Sequence, residues 1–300
     1  MIFNAVEIMT PILLAALGGL FAELAGVLNI ALEGLILTGA FAGILAAAAT
    51  NSLLAGIAAG AAAGGLMAAV FVFFSMRLKA NIFITGLAIN LFAAGAIPFI
   101  STWLFGTKGV LRFPDLKRLP QLFRNTSTGI GFIDGLLFGH SATVYLAWLL
   151  VAVSAVVLYR TPFGLRLRAL GAKEESVVIA GVNAAAYRRM AILISGIAAG
   201  IGGASISLRL GVYLPNISAG RGWIALVAIY LGYRHPIGIA VAALLFGFTE
   251  SLAGAAQGML AIPGTILLGL PYAMTVIAMI IYSALRSRGR KRRRLIDAHF

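Results

Sequence analysis

Long runs without any charged residue dominate this sequence. Asp, Glu, Lys and Arg are absent from residues 34–76, 80–107, 135–159, 190–208 and 251–285. A helix needs about 20 apolar residues to cross the hydrocarbon core of a bilayer, and each run reaches or nearly reaches that length. The runs are far longer than the roughly ten-residue alternating strands of an outer-membrane barrel. The sequence therefore predicts an all-α polytopic membrane protein.

The composition excludes an ordinary soluble enzyme. Of the 300 residues, 61% are hydrophobic and 11% are charged, whereas a soluble domain is typically about 25% charged. The formal charge of +14 comes from Lys and Arg residues that lie between and after the apolar runs. That placement predicts contact with membrane lipid and no nucleic-acid partner. The chain has no cysteine and its three histidines are far apart in sequence, so we expect no disulfide and no metal site.

We predict about 8–10 transmembrane helices in a single transmembrane domain, 1–300. Nine candidate spans lie at about 8–25, 30–50, 53–76, 81–104, 141–159, 190–208, 222–234, 237–257 and 262–285. Nine full crossings that end in a cytoplasmic tail place the amino terminus outside. If instead one early segment is re-entrant, residues 26–30 are the best candidate, because broken helices commonly line transport paths.

The distribution of Lys and Arg predicts which loops are cytoplasmic. Basic residues are dense in the segment 160–189 and in the tail 286–300, so both are predicted to be cytoplasmic. Residues 105–139 then form an external loop. This loop carries five basic residues against Asp115 and Asp134, which runs against the general rule.

A few polar side chains fall inside the predicted spans, where they are costly unless they face protein or a water-filled cavity. The candidates for lining a substrate path are Asn29, Glu33, Thr85, Asn90 and Glu250. The alternative for each residue is an interhelical hydrogen bond. The pattern Gly-Ile-Ala-Ala-Gly, which occurs at 56–60 and again at 196–200, predicts close helix packing.

The sequence contains no motif for chemistry on a covalent substrate. It lacks a Walker A phosphate loop, a Gly-x-Ser-x-Gly elbow and a His-Glu-x-x-His helix. We therefore predict no catalytic residue, no ATPase activity and no cofactor in this chain.

One basic segment, GLRLRALGAKEESVVIAG at 164–181, has a composition that sets it apart. A solvated loop that merely fixes the topology is one interpretation. The apolar run Val177, Val178 and Ile179 is unusual for such a loop, however, and follows two glutamates. That order is typical of a short amphipathic helix that docks on a partner.

Three stretches of the chain resemble the integral-membrane permeases of ABC importers for branched-chain amino acids, simple sugars and nucleosides. They are FAELAGVLNIALEGLILTGAFAG at 21–43, the segment 164–204 and ISAGRGWIALVAIYLGYRHPIGIAVAALLFGFTESL at 217–252. The chain looks most like the purine-nucleoside permeases that work with a BMP-type binding lipoprotein. It departs from the family pattern at 173–175, where Lys-Glu-Glu replaces a more polar Asn-Pro or similar sequence.

The resemblance implies a set of partners and a location. The partners are a cytoplasmic ATP-binding subunit that holds ATP and Mg, a second homologous permease subunit and an extracytoplasmic solute-binding lipoprotein. The location is the bacterial cytoplasmic (inner) membrane. The residues implied to form a cytoplasmic coupling helix against the ATPase are Arg168, Gly171, Glu174, Gly181 and Asn183.

Two other functions stay open on sequence grounds. A secondary transporter driven by an ion gradient would use ionisable residues at mid-membrane, for which Glu23, Glu33 and Glu250 are candidates. A membrane scaffold would use the basic residues 286–294 to bind anionic lipid. Within the ABC family, a simple sugar or a branched-chain amino acid is the alternative to a nucleoside as the solute.

Overall fold

The computed structural model describes residues 1–116, 118–124, 126 and 128–259, together with Ala273, Val276 and Ile280. In this part the chain forms eleven α-helices and one short ribbon of two strands. The helices are α1 Ile2–Leu24, α2 Leu32–Thr50, α3 Leu53–Val72, α4 Ile82–Phe105, α5 Gly131–Leu137, α6 Ala142–Arg160, α7 Pro162–Ala172, α8 Glu174–Ile179, α9 Ala184–Leu210, α10 Arg221–Leu231 and α11 Pro236–Met259. The strands are β1 Leu111–Arg112 and β2 Val212–Tyr213.

Seven of these helices are long and apolar enough to cross a membrane: α1, α2, α3, α4, α6, α9 and α11. The prediction of an all-α polytopic membrane protein is confirmed. The predicted span 222–234 is only the 11-residue helix α10, which is about 16 Å long and too short to cross by itself. The predicted span 262–285 and the tail 286–300 fall outside the described residues, apart from three isolated positions.

The helix ends are marked by local sequence signals. Asn81 accepts hydrogen bonds from the backbone of Phe83 and Ile84 and so caps α4, and Asn183 caps α9 through the backbone N–H of Ala186. Such caps satisfy the backbone donors that the first helical turn leaves free. At its other end α9 stops at Gly211, which has a positive φ of 69° that glycine adopts without strain.

Helix α9 is the centre of the bundle, and its glycines allow the close packing. A Cβ atom at Gly200 would collide with the backbone of Gly60 and Gly64 in α3, and a Cβ atom at Gly39 of α2 would collide with Gly200. Helices α1, α2 and α3 all pack against α9. The prediction that the repeated Gly-Ile-Ala-Ala-Gly patterns are packing positions is confirmed, because the two patterns meet each other across the α3–α9 contact.

The bundle has two distinct ends. At one end, called here the α7 end, Gly171 of α7 lies against the C-terminus of α1 and Arg234 forms an ion pair with Glu23. At the other end, the ribbon end, β1 pairs with β2 in an antiparallel register that matches Leu111 with Tyr213. The amino terminus also lies at the ribbon end, because α1 runs antiparallel to α9: Gly18 packs against Ser195 and Pro11 against Gly202.

This arrangement bears on the early part of the chain. Helix α1 runs the full distance from the ribbon end to the α7 end, and its residues are almost entirely buried. Residues 25–31 therefore connect two separate helices. Helix α1 crosses the bundle completely and does not turn back as a re-entrant segment would. With the amino terminus at the ribbon end, the order of crossings needs no re-entrant segment there.

Candidate translocation path and coupling surface

The break between α1 and α2 leaves backbone groups without helical partners inside the bundle. Residues 25–31 are not helical, and Gly26 has a positive φ of 81°. In the interior of a membrane protein such groups need partners from neighbouring elements, because lipid supplies none. Polar side chains of α4 and α9, and backbone N–H groups at the start of α10, converge on this break and on the first turn of α2.

Asn29 ties the break to α9. Its side chain is 1% exposed. The amide nitrogen donates to the hydroxyl of Ser195 at 2.8 Å, and the amide oxygen accepts from the backbone N–H of Ala31 at 3.1 Å. Both polar atoms of Asn29 are thus occupied by the protein.

Asn90 ties the same region to α4. Its Oδ1 accepts from the backbone N–H of Gly34 at 2.7 Å, and its Nδ2 donates to the carbonyl of Ile30 at 2.9 Å. One side chain therefore replaces two bonds that the interrupted helix does not make. Asn29 binds α9 from within the break and Asn90 reaches the break from α4, so together they fix its position.

Glu33 ties the start of α2 to the start of α10. Its two carboxylate oxygens accept from the backbone N–H groups of Gly220, at 2.8 Å, and Gly222, at 2.7 Å. A carboxylate is favoured at this position because the N-terminus of a helix carries partial positive charge. Gly222 packs so closely against the backbone of Glu33 that a side chain there would collide with it. The short helix α10 thus begins inside the bundle and is capped by a residue from another helix.

Glu250 of α11 lies beside this cap. It forms an ion pair with Arg221, the residue between the two glycines that bind Glu33. The side chain of Arg221 is 14% exposed and that of Glu250 is 25% exposed. Arg209 in α9 interacts electrostatically with Glu7 of α1, with Arg221 and with Glu250.

Four of the five predicted path residues are brought together by these contacts. We call Asn29, Glu33, Asn90, Arg221 and Glu250 the polar layer. The polar atoms of Asn29, Glu33 and Asn90 form interhelical or local hydrogen bonds, which is the alternative that the sequence left open, and their role in lining a path stays a prediction.

Thr85 is not part of the polar layer. Its hydroxyl donates to the carbonyl of Asn81 in its own helix at 2.9 Å. It borders an apolar groove of about 480 Å³ between α3 and α4, which Met67, Phe74 and Phe92 also line. Thr85 and the polar layer thus belong to different environments.

The predicted coupling segment forms two helices at the α7 end. Thr161 caps α7, with Pro162 at its first position. The guanidinium of Arg168 lies over the ring of Tyr159 at 4.7 Å. Gly171 contacts the carbonyl of Leu24, and a Cβ atom would not fit there. These contacts hold α7 against the C-terminal end of α1 and the end of α6.

The second helix, α8, is short and is tethered by one ion pair. Both oxygens of Glu174 bind the guanidinium of Arg188 in α9, each at 2.8 Å. After α8 the chain turns at Gly181, with φ 74°, and Asn183 caps α9. The predicted coupling residues Glu174, Gly181 and Asn183 thus position α8 relative to α9.

The outer surface of α8 is apolar at its tip and charged at its base. Ile179 is 86% exposed and Val178 is 55% exposed. Together with Lys173, Glu174 and Glu175 they line an open depression of about 790 Å³. Exposed apolar groups rimmed by charges are typical of a surface that binds another protein.

A cluster at the ribbon end was missed by the sequence reasoning. The carboxylate of Glu7 is 5% exposed and accepts from both the backbone N–H and the hydroxyl of Ser141, at 2.6 and 2.9 Å. His140 is fully buried beside it, with Nδ1 at 3.7 Å from the carboxylate. A carboxylate in the apolar helix α1 is the signal that could have found it. In the described part of the chain, no three His, Asp or Glu side chains converge as metal ligands would.

Comparison with known proteins decides the family. The family described as branched-chain amino acid transport system / permease component matches residues 1–285. The chain belongs to this family. The permease is thus an ABC importer component without its own ATPase, and family membership implies an ATPase and a solute-binding protein as partners.

Individual relatives cover almost the whole permease. The guanosine ABC transporter permease protein NupQ of Bacillus subtilis is 35% identical over 90% of this chain and 87% of its own length. The nucleoside ABC transporter permease protein NupC of Lactococcus lactis is 29% identical over 91% and 89%. TsgC13 of Haloferax volcanii, provisionally named a glucose ABC transporter permease protein, is 33% identical over 82% and 74%. The resemblance stated from the sequence is confirmed, including its closeness to nucleoside permeases.

Proposed function

We propose that this permease subunit carries nucleosides across the bacterial inner membrane, driven by a cytoplasmic ATPase bound at the α7 end. A second, homologous permease subunit completes the pathway, and an external lipoprotein delivers the solute. ATP acts by binding the outward-facing and inward-facing states with different affinities, since a ligand that binds both equally shifts neither.

The choice of nucleosides rests on the relatives. NupQ and NupC are named for guanosine and nucleosides, and both align with about nine tenths of the chain. The relative named for glucose keeps a sugar as the second candidate. A solute that combines a ribose with a base has donors and acceptors on both parts, so a path for it needs polar groups from several helices. The polar layer draws its members from α2, α4, α10 and α11.

The observation that carries the coupling role is the exposed tip of α8. Ile179 is the most exposed large hydrophobic side chain in the described part of the chain, and it shares a short helix with Glu174 and Glu175. An exposed apolar side chain on a short charged helix is suited to bind in an apolar groove of a partner protein. The basic side chains of Arg160, Arg166, Arg168, Arg188 and Arg189 around it favour a cytoplasmic position.

Copurification tests the docking part of this proposal. The permease is purified in mild detergent from its native host, and the amount of ATP-binding subunit that accompanies it is measured. Ile179→Asp is expected to remove the ATPase from the complex, because a buried carboxylate would be left in the groove without a partner. The matched control is Val110→Asp, an exposed apolar residue at the ribbon end. Equal recovery of the ATPase with both variants would contradict the docking assignment.

Uptake measurements test the solute and the energy source. Cells that express the complete system take up labelled guanosine, and unlabelled nucleosides, glucose and leucine are added as competitors. We expect competition by nucleosides alone and loss of uptake on ATP depletion. Uptake that collapses with an ionophore at constant ATP would favour the secondary transporter, and competition by glucose would favour the sugar branch.

A further inference from the structure

Arg188 of α9 contacts the coupling helix and the helix break at the same time. Its Nη1 and Nη2 donate to the two carboxylate oxygens of Glu174 in α8, each at 2.8 Å. Its Nε donates to the carbonyl of Ala25, the first residue after α1, at 3.3 Å. We infer that Arg188 is a positioning residue that transmits the displacement of α8 to residues 25–31. This inference rests on the proposed role of α8 in docking the ATPase.

The shape of the guanidinium makes it suitable for this role. The group is planar and its donors have fixed directions, so it binds a carboxylate through two parallel hydrogen bonds. The third donor, Nε–H, lies in the same plane. A shift of the Glu174 carboxylate therefore turns the whole plane and moves the donor that faces Ala25.

Ala25 opens the segment that carries the polar layer. Four residues later Asn29 binds Ser195, and the carbonyl of Ile30 binds Asn90. The hydrogen bonds of Asn29 to Ser195 and of Asn90 to Ile30 hold this segment against α9 and α4, so it is not free to absorb a pull at Ala25. We expect the displacement to reach the first turn of α2, where Glu33 caps α10.

A second contact leads to the same turn from α7. Gly171 packs against the carbonyl of Leu24, which directly precedes Ala25. A Cβ atom at Gly26 would come within 3.9 Å of Nη2 of Arg188. Both helices of the coupling segment are therefore connected to residues 24–26. Helix α7 packs directly against them through Gly171, and α8 reaches them through Arg188 of α9.

Stability alone does not account for the Arg188 contacts. The side chains of Arg188 and Glu174 are 25% and 47% exposed, and ion pairs with this exposure add little to folding stability. Their effect is on the position of α8. This helix has six residues, of which Val177 is buried, and in the described part of the chain its first turn has no side-chain cap.

A double-mutant cycle on the complete transporter tests the inference. Wild type, Glu174→Gln, Arg188→Gln and the double variant are purified with their ATPase and reconstituted in proteoliposomes. The readout is the amount of labelled guanosine moved per ATP hydrolysed.

We expect Arg188→Gln to lower this ratio about tenfold, within the range typical of couplings between sites. The double variant should be no worse than Arg188→Gln alone, because the two residues act as one unit. The neighbouring exposed residue gives the matched control, Arg189→Gln, which should leave the ratio unchanged.

The outcomes separate this inference from the proposed function. If the wild-type permease carries no ATPase or moves no guanosine, the proposed function fails. If wild type is active and Arg188→Gln keeps its ratio within about twofold, or if the two single losses simply add, the inference alone is wrong. Arg188→Lys covers the case in which Arg188→Gln does not assemble. Lysine keeps the charge but cannot hold two carboxylate oxygens and the carbonyl of Ala25 at once, so we expect an assembled complex with a lowered ratio, and a normal ratio would overturn the inference.

Discussion

The carboxylate of Glu33 in α2 accepts a hydrogen bond from the backbone N–H of Gly222 in α10 at 2.7 Å. The second carboxylate oxygen binds Gly220 in the same way. A residue in the first turn of one helix thus caps another helix that lies 187 residues later in the sequence. The carboxylate thus fixes the N-terminus of α10 against the first turn of α2.

Replacing Glu33 should destabilise the permease. Glu33→Ala leaves two backbone N–H groups of the α10 N-terminus without acceptors, at a cost of about 1–3 kcal/mol for each group that stays dry. We expect a clear fall in the midpoint of thermal unfolding in detergent and a loss of uptake. Glu175→Ala, on the exposed part of α8, is the control and should unfold at the wild-type temperature. Equal midpoints for the two variants would contradict the capping role.

The split between Asn90 and Thr85 can be tested within one helix. Asn90→Ala removes the hydrogen-bond partner of both Gly34 and Ile30. It should lower the free energy of unfolding by about 1–3 kcal/mol and should also lower uptake. Thr85→Val removes only a bond to its own helix, so both properties should stay near those of wild type. Thermal unfolding and guanosine uptake are measured side by side. A stronger loss of uptake in Thr85→Val than in Asn90→Ala would place the path in the α3–α4 groove instead.

The ion pair of Arg221 with Glu250 should matter more than that of Arg188 with Glu174 for stability. Glu250→Gln leaves a largely buried guanidinium without a carboxylate, with Arg209 nearby, and removing one partner of a buried pair costs up to about 3–5 kcal/mol. Glu174→Gln affects a more exposed pair worth at most about 1 kcal/mol. Unfolding midpoints of the purified variants give the comparison. A larger shift in Glu174→Gln would show that the buried pair is not a stabilising element.

Two glycines in long helices provide a test of the packing at α9. Gly200→Leu inserts a side chain where the backbone of α3 lies, and overpacking of this kind costs at least about 1–3 kcal/mol. Gly95→Leu in α4 points into open space and also improves helix propensity. Size-exclusion chromatography of fluorescent fusions should show aggregation of the first variant and a normal peak for the second. A monodisperse Gly200→Leu protein would contradict the packing seen around α9.

The two ends of the bundle should lie on opposite sides of the membrane. The native chain has no cysteine, so single cysteines report position without further changes. Ile179→Cys at the α7 end should be protected from a membrane-impermeant maleimide in intact cells, and Val110→Cys at the ribbon end should react. The permease is expressed without its ATPase, which would otherwise cover Ile179, and permeabilised cells show that both thiols are reactive. Labelling of Ile179→Cys in intact cells would refute the cytoplasmic assignment of the coupling surface.

The spans were predictable because hydropathy is a local property. Seven long helices appear where apolar runs of about 20 residues occur, and caps such as Asn81 and Asn183 are visible in the sequence. The length of α10 was not predictable in this way. Its N-terminus is set by Glu33 from a distant helix, and an apolar window does not reveal where a helix begins inside the bundle.

The candidate site was predictable in membership but not in geometry. The depth of Asn29, Glu33, Asn90 and Glu250 marked them as unusual, whereas their partners Ser195, Gly220 and Arg221 depend on tertiary contacts. Thr85 was grouped with them on depth alone, since depth does not tell which face of α4 a residue occupies. The coupling segment was recognised from its composition, yet the bond of Arg188 to Ala25 spans 163 residues and has no local signature.

The glycine contacts around α9 divide the permease into parts with different freedom to move. Where backbones touch without intervening side chains, neighbouring helices have no soft layer through which to slide, so α1, α2, α3 and α9 form a stiff unit. Helix α4 exposes most of its surface and meets the rest mainly at α2. Switching between access to one side and access to the other is therefore expected to proceed by swinging α4 about this stiff unit, and not by rearranging the unit itself.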